Sequence, residues 1–250
     1  MIDISIIIPT LNSAKTILKT LKSIKAQTYQ NYEIIIIDSF SSDQTIYLIK
    51  KLKFKNINFF KISKNKKLSY ARYYGVLKSK GKYICFLDSD DFWNKKKLEI
   101  QKLFLLSNKV KMCSTNFTLV KKYNKKIFKF KKKIFFKDLL YDRPIANSSV
   151  MVERKLILSI SKKYQNVEYA EDYLWWVQIS RNNLIYNLTK NLTYIYVYPA
   201  NRTSTSFYKN LKSLFLIYRK VLKFNYIKIL FIFLVLIFKN LSKKYFYYFK

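Results

Sequence analysis

Three carboxylates in a short space follow an apolar, β-prone run of the chain. Asp88, Asp90 and Asp91 come directly after residues 83–87, a run typical of a strand that is buried on both faces of a parallel sheet. Carboxylates this close repel one another unless a cation or the hydrogen-bond donors of a ligand lie among them. The segment therefore predicts a site for a metal ion and a diphosphate. A turn that caps the next helix would explain the same residues equally well.

Two earlier apolar runs end in polar residues in the same way. Residues 4–8 lead into the segment 9–12, and residues 32–37 lead into the segment 38–43. In open α/β sheets the ligand crevice lies beyond the carboxyl ends of the strands. We therefore expect the polar residues after all three runs to lie together at one edge of a sheet.

Short apolar runs alternate with helical patterns along the chain. This alternation predicts an α/β fold with a mostly parallel, doubly wound sheet and flanking helices. The further predicted elements are a strand over 57–62, a helix over 69–79, a helix that begins at Phe92, a hairpin within 110–136, a strand over 147–152 and two strands over 184–188 and 192–198. We predict one domain over residues 1–207 and a helical tail over 208–250.

The composition excludes several kinds of chemistry. The chain has no histidine, which excludes histidine-based nucleophile relays and histidine-ligated zinc. Cys85 and Cys113 fit neither a metal-binding spacing nor a disulfide framework, so we predict reduced thiols in the core. The chain has only 14 acidic residues against 49 Lys and Arg, so carboxylates that cluster at a strand end are informative.

The formal net charge of +35 has two explanations. It favours a polyanionic partner such as nucleic acid, an anionic membrane or nucleotide phosphates. An A/T-rich genome, whose codons favour Lys, Asn, Ile, Phe and Tyr, would produce much of the same bias. A non-enzymatic nucleic-acid-binding protein is the alternative function, because 22 Tyr, 20 Phe and 3 Trp are available for stacking on bases. That alternative leaves the carboxylates unexplained, and we expect no nucleic acid partner.

Five segments of the chain together resemble the family-2 glycosyltransferases, whose amino-terminal domain has the nucleotide-binding α/β fold called GT-A. The segments are Ser5-Ile-Ile-Ile-Pro-Thr-Leu-Asn12, Glu33-Ile-Ile-Ile-Ile-Asp38 with Ser41 and Asp43, Ala71-Arg72 with Gly75, Phe86-Leu-Asp-Ser-Asp-Asp91, and Ala170-Glu-Asp-Tyr173. They occur in the order of the family and span roughly the first two hundred residues.

The resemblance implies an inverting enzyme that moves a sugar from a nucleoside diphosphate sugar to an acceptor hydroxyl. Similar family members build cell-surface polysaccharide, often on a lipid carrier, so the expected acceptor is a saccharide or a lipid-linked saccharide. Residues 1–109 would bind the nucleotide sugar and residues 110–207 the acceptor. The implied donor-binding residues are Pro9, Thr10, Asn12, Asp38, Ser39, Arg72 and Asp88. Asp90 is the implied ligand of a divalent metal ion, Mg or Mn, which oxygen ligands and phosphate favour.

Glu171 and Asp172 match the acceptor-site motif of the family. By resemblance Asp172 takes the proton of the acceptor, Glu171 orients the acceptor, and Trp176 lies on the acceptor side. Arg202, in the polar loop 201–206, is also expected there. The two acids have a second explanation, because the helix dipole makes acidic residues common in a first helical turn.

Three residues depart from the family pattern. Ser39 replaces what is commonly a second acid, Phe40 stands where Gly is common, and Gln178 stands where Arg is frequent. The first two departures affect contacts to the nucleotide base and leave the implied metal and general-base positions intact.

The tail contains ten consecutive apolar residues at 229–238, bracketed by Lys228 and Lys239. Spanning a bilayer takes about 20 residues. A short, basic and aromatic-rich segment instead predicts a helix that lies in the membrane interface and is attracted to anionic lipid. Packing on the domain or a dimer contact is the alternative. No signal peptide is recognisable at the amino terminus, so we expect a cytoplasmic protein, peripheral on the inner face of the cell membrane.

Overall fold

The structure is a computed structural model of the chain, and it describes residues 2–52, 54, 56–121, 124–167, 170–197 and 207–241. The strands in these residues are β1 (Ile4–Thr10), β2 (Tyr32–Asp38), β3 (Ile57–Lys61), β4 (Tyr83–Phe86), β5 (Phe92–Trp93), β6 (Met112–Val120), β7 (Lys125–Phe128), β8 (Lys133–Ile134), β9 (Met151–Glu153) and β10 (Ile185–Tyr196). They form one sheet in the order β3-β2-β1-β4-β9-β6-β10-β5, with β7 beside β6 and β8 beside β10.

Helices cover both faces of this sheet. The helices are α1 (Ile17–Lys25), α2 (Thr45–Lys51), α3 (Leu68–Lys78), α4 (Lys97–Ser107), α5 (Phe136–Tyr141), α6 (Arg154–Lys163), α7 (Glu171–Ser180), α8 (Phe207–Leu216) and α9 (Tyr226–Leu241), with a 3-10 turn at Asn147–Ser149 and a π-helical turn at Ile217–Val221. Successive side chains of a strand point to opposite faces. Ile6 and Ile8 of β1 therefore pack in the core under α1, α2 and α4, whereas Ile7 packs in the core under α3, α6 and α7.

The predicted parallel arrangement is confirmed for the first half of the sheet. β1 pairs in parallel with β2 and with β4, and β2 pairs in parallel with β3. The second half of the sheet is mixed, because β9 pairs antiparallel with both β4 and β6, whereas the long strand β10 pairs in parallel with β6. The predicted hairpin is confirmed as the antiparallel pair of β6 and β7.

Three local predictions differ from the structure. The two strands predicted over 184–188 and 192–198 are one strand, β10, whose register against β6 shifts on either side of Asn191. Such irregularities let a strand continue through polar residues that look like a turn in the sequence. Residues 147–149 form a 3-10 turn instead of strand, and Phe92 begins the short strand β5, so the following helix starts only at Lys97.

Both glycines of the chain lie against β1. A Cβ atom at Gly75 would collide with the side chain of Ile7, and one at Gly81 would lie 2.6 Å from the backbone nitrogen of Ser5. Close packing between α3, the following loop and β1 therefore requires glycine at both positions.

The carboxy-terminal helices share the core of the domain. On α9, Ile229, Ile232 and Leu236 are buried, and they belong to the same hydrophobic cluster as Tyr173 of α7. The Tyr173 and Tyr218 hydroxyls are hydrogen-bonded at 3.0 Å. No helix in the described part of the chain has the length and apolarity to cross a membrane. Residues 242–250 of the predicted tail lie outside the described residues.

Candidate active site

The polar residues after β1 and β2 meet at one edge of the sheet, as predicted. Asp38 is fully buried, and its carboxylate accepts hydrogen bonds from Thr10 Oγ1 at 3.0 Å and from the Ser41 backbone N–H at 2.9 Å. The Ser39 backbone N–H donates to the Thr10 carbonyl oxygen at 2.9 Å. Asp38 therefore holds the two loops of this edge together.

Two residues of these loops have left-handed backbone conformations. Asn12 has a φ of 48° and Phe40 a φ of 69°. The Asn12 side-chain oxygen accepts from the Ser42 N–H at 2.8 Å, which ties the first loop to the second. A positive φ favours glycine, so the backbone at Phe40 explains physically why glycine suits this position.

The three acids after β4 differ in how far their side chains are buried. Asp88 and Asp90 are partly exposed, whereas Asp91 is only 3% exposed. Asp91 accepts from Ser148 Oγ at 2.6 Å and from the Tyr196 backbone N–H at 3.1 Å. The expectation that all three acids lie together at the ligand edge of the sheet is therefore wrong for Asp91, because its carboxylate anchors the loop to β10 inside the protein.

Burial raises the pKa of Asp91 well above its ordinary value, and the neighbouring Asp90 and Asp88 raise it further by repulsion. When folding raises the pKa of a carboxyl group, the group contributes stability at pH values below its pKa in the unfolded protein. That contribution is lost as the pH rises through its pKa in the folded protein. Asp91→Asn should therefore gain stability relative to wild type as the pH rises from about 3.8. Urea denaturation of both proteins over a pH series measures this, and a pH-independent difference would contradict it.

Arg72 connects the loop after β4 to the start of α7. Its guanidinium is buried and bonds to Asp88 Oδ1 at 2.6 Å through Nη2 and to Glu171 Oε1 through Nη1. Burial alone would lower the pKa of Arg72, but Asp88 and Glu171 raise it above its ordinary value. Arg72 therefore holds the loop after β4 and the start of α7 side by side.

The acidic pair at the start of α7 is divided between the interior and the surface. Glu171 is buried, and its pKa rises to about 7 because burial outweighs the attraction of Arg72, with repulsion from Asp172 adding to the effect. Asp172 is partly exposed, and one of its oxygens accepts from the Tyr173 N–H at 2.8 Å. Ala170, directly before the pair, has a left-handed conformation with φ 56° and ψ 31°. Adjacent acids of similar chemistry therefore have different environments.

One predicted acceptor-side residue, Trp176, is not at the surface of this crevice. Trp176 is 1% exposed and packs against Phe86, with ring centroids 6.2 Å apart. Arg202 and the loop 201–206 lie outside the described residues.

Asn147 and Ser148 also contact the charged residues of this site, and neither was predicted from the sequence. The Asn147 amide oxygen, assigned toward Arg72, lies 3.3 Å from Nη2, and Ser148 Oγ accepts from the Asp88 N–H at 3.1 Å.

Replacing Arg72 by methionine should lower the free energy of unfolding by about 3–5 kcal/mol, because Glu171 is then a buried carboxyl group without its cation and must take up a proton or remain an unpaired charge. Urea denaturation measures the loss. Glu171→Gln in the same background should recover part of it, since the double variant no longer buries that ionisable group. Arg154→Met, which removes a partly exposed guanidinium, serves as the control and should cost less. Equal losses in the single and double variants would contradict the pairing.

The carboxylates available to a metal ion are few. In the described ranges no group of three or more acidic or cysteine side chains is placed to hold a metal ion. Asp88 and Asp90 nevertheless suit a magnesium-type ion, because such ions are commonly bound through one or two carboxylates together with substrate phosphates.

Residues 5–153 match the model of the family described as Glycosyl transferase family 2. An uncharacterized glycosyltransferase of Rickettsia bellii is 32% identical over 205 residues, which are 80% of this chain and 29% of the relative. The chain thus spans less than a third of that relative. A UDP-Glc:alpha-D-GlcNAc-diphosphoundecaprenol beta-1,3-glucosyltransferase of Escherichia coli, WfaP, is 33% identical over 209 residues, covering 83% of this chain and 82% of the relative.

The solved structures include a similar fold. Staphylococcus aureus TarS 1-349 in complex with UDP-GlcNAc superposes with a TM-score of 0.72 at 20% identity, covering 87% of this chain and 67% of the other. The likeness confirms the expected GT-A type of fold.

Proposed function

Because the chain belongs to glycosyl transferase family 2, we propose that it transfers a sugar from a nucleoside diphosphate sugar to an acceptor hydroxyl with inversion at the transferred carbon. One observation carries this proposal. Arg72 bonds to Asp88 after β4 and to Glu171 on α7, so the segment with the proposed metal carboxylate and the segment with the proposed base are held side by side. Family membership also accounts for the clustered carboxylates, which a nucleic-acid-binding surface would not need.

The donor would bind at the edge formed by the loops after β1, β2 and β4. The residues proposed to line its site are Pro9, Thr10, Asn12, Asp38, Ser39, Arg72 and Asp88. Of these, Pro9, Thr10, Asp38 and Arg72 are buried. The Asp38 and Arg72 side chains are bonded to other residues inside the protein, so we propose that these two support the site without contacting the donor. The UDP-GlcNAc complex of TarS and the UDP-Glc donor named for WfaP support a uridine diphosphate sugar as the donor.

The acceptor is proposed to be a saccharide carried on a lipid diphosphate. WfaP is named for an acceptor of this kind, and it is similar over most of its length to this chain. Such a substrate would place the enzyme in the synthesis of cell-surface polysaccharide, working on the inner face of the cell membrane.

The proposed reaction is a single displacement. Asp172, which is partly exposed at the start of α7, would accept the proton of the attacking hydroxyl. The hydroxyl oxygen bonds to the anomeric carbon as the bond from that carbon to the diphosphate oxygen breaks, and attack on the opposite face inverts the configuration. Glu171 bonds to Arg72 instead of facing the acceptor, so we revise its role to positioning Arg72 and the start of α7.

Asp90, with Asp88 beside it, would hold a magnesium or manganese ion together with the diphosphate of the donor. The ion would supply Lewis-acid stabilisation of the charge that develops on the leaving diphosphate. A site of one or two carboxylates implies that the metal and the nucleotide bind as a unit.

A donor screen tests the proposal. The purified full chain is incubated with each of a panel of nucleoside diphosphate sugars that includes UDP-Glc and UDP-GlcNAc, together with a divalent metal ion and a synthetic GlcNAc-diphosphate-lipid acceptor. We expect UDP release that depends on the acceptor, and a product with the inverted anomeric configuration by NMR. The absence of transfer from any nucleoside diphosphate sugar, or a retained configuration, would overturn the proposal.

A further inference from the structure

Helix α9 has two apolar sides, of which only one is covered by the protein. Ile229, Ile232 and Leu236 pack into the core. The opposite side consists of six large apolar residues that are each 41–80% exposed: Ile227, Leu230, Phe231, Leu234, Ile237 and Phe238. Their spacing of three and four residues places them along one face of the helix. We call these six residues the outer face of α9. A continuous apolar strip of this kind marks an interaction surface.

Exposed basic residues lie at the amino-terminal end of this face. Arg219, Lys220, Lys223 and Lys228 are all exposed, and Lys228 Nζ lies 3.9 Å from the ring centroid of Phe224. Residues 207–250 contain ten Lys and Arg residues and no acidic residue. An apolar strip beside unbalanced positive charge fits a partner that is apolar inside and negatively charged at its surface.

We propose that the outer face of α9 docks on the surface of an anionic lipid bilayer. The helix has 16 residues, fewer than the about 20 needed to span, so it would lie along the interface. A second copy of the chain fits less well. A two-fold interface brings the same patch of both copies together, and the basic residues beside the outer face would then repel one another.

The outer face lies close to the helix that begins with Glu171 and Asp172. Phe231 contacts Tyr141 of α5, with ring centroids 6.4 Å apart. The Tyr173 hydroxyl, one residue beyond Asp172, donates to the Leu139 carbonyl oxygen of α5 at 3.0 Å. Docking through α9 would thus bring the acceptor side of the protein near the membrane. The inference does not depend on the proposed reaction, because vesicle binding is measured without donor or acceptor.

Sedimentation of the full-length protein with vesicles of phosphatidylglycerol and phosphatidylcholine tests whether the apolar residues of the outer face contribute to membrane binding. Leu230→Gln with Leu234→Gln should lower the partition coefficient by about tenfold or more, since both side chains would lose burial in the interface. The matched control is Leu103→Gln with Leu106→Gln on α4. These leucines are 57% and 47% exposed, compared with 60% and 56% for the α9 pair, and their replacement should leave binding unchanged.

A second pair of variants tests whether vesicle binding depends on the lysines beside the outer face or on the positive net charge of the whole protein. Lys223→Gln with Lys228→Gln should weaken binding about tenfold, whereas Lys155→Gln with Lys162→Gln on α6, the same change in net charge, should have little effect. Binding should also fall with added salt. Equal effects of both lysine pairs, no binding to anionic vesicles, or a dimer in light scattering that the α9 leucine variant dissociates would each overturn the proposal.

Discussion

Replacing Asp90 by asparagine is expected to lower turnover by roughly a thousandfold or more while the protein stays folded. Asp90 is the carboxylate assigned to the divalent metal ion, and a neutral amide is a much poorer ligand for such an ion. Losing Lewis-acid support for a diphosphate leaving group removes several kcal/mol of transition-state stabilisation, and about 1.4 kcal/mol corresponds to a factor of ten in rate. The measurement is UDP release at saturating donor, acceptor and metal.

Asp3→Asn is the matched control for this variant. Asp3 precedes β1 at the end of the strand away from Thr10 and bonds to Lys102, so its replacement removes the same charge far from the crevice and should leave turnover unchanged. Circular dichroism confirms that both variants are folded. Full activity in the presence of a chelator, or normal turnover of folded Asp90→Asn, would rule out the metal role.

Asp172→Asn is expected to lower kcat by at least about a hundredfold while donor binding stays near that of the wild type. An asparagine oxygen can still accept from the Tyr173 N–H, which lies 2.8 Å from the carboxylate, but an amide cannot take a proton from the acceptor. General-base catalysis is typically worth 10² to 10⁴ in rate. Steady-state kinetics gives kcat, and calorimetry with a nucleoside diphosphate gives the donor affinity.

Glu171→Gln is the comparison that separates the two adjacent acids. Glutamine occupies the same buried position beside Arg72 without the charge, so we expect a smaller loss of kcat, accompanied by a change in stability. A normal kcat for Asp172→Asn together with an inactive Glu171→Gln would reverse the two roles. If neither substitution changes the rate, the acidic pair is not catalytic.

The features of the fold that could be predicted are those that depend on the order of apolar and polar residues within a short stretch of sequence. Apolar runs followed by polar residues locate β1, β2 and β4, and the parallel order of these strands brings Thr10 and Asp38 together. Cys85 and Cys113 are buried and free, as predicted. Each of these conclusions rests on residues that are neighbours in sequence or that share one repeating strand pattern.

The orientation of individual side chains depends on partners that are remote in sequence. Asp90 and Asp91 have the same side chain, and only the contacts of Asp91 with Ser148 and with the Tyr196 backbone bury one of them. Glu171 is held inside by Arg72, ninety-nine positions away. Lys97 is fully buried although lysine is usually exposed, and burial lowers its pKa. Tertiary contacts of this kind leave no signal in a local pattern.

The hydrogen bond between Tyr173 and Tyr218 would bear on acceptor choice in an enzyme that docks on a membrane as proposed. It joins the helix that begins beside Asp172 to the segment directly before α9, and both tyrosines are buried. For an enzyme docked through α9, this buried connection would set the height of Asp172 above the lipid surface. The protein would then select an acceptor hydroxyl by its distance from the bilayer, and so by the number of sugars already attached to the carrier.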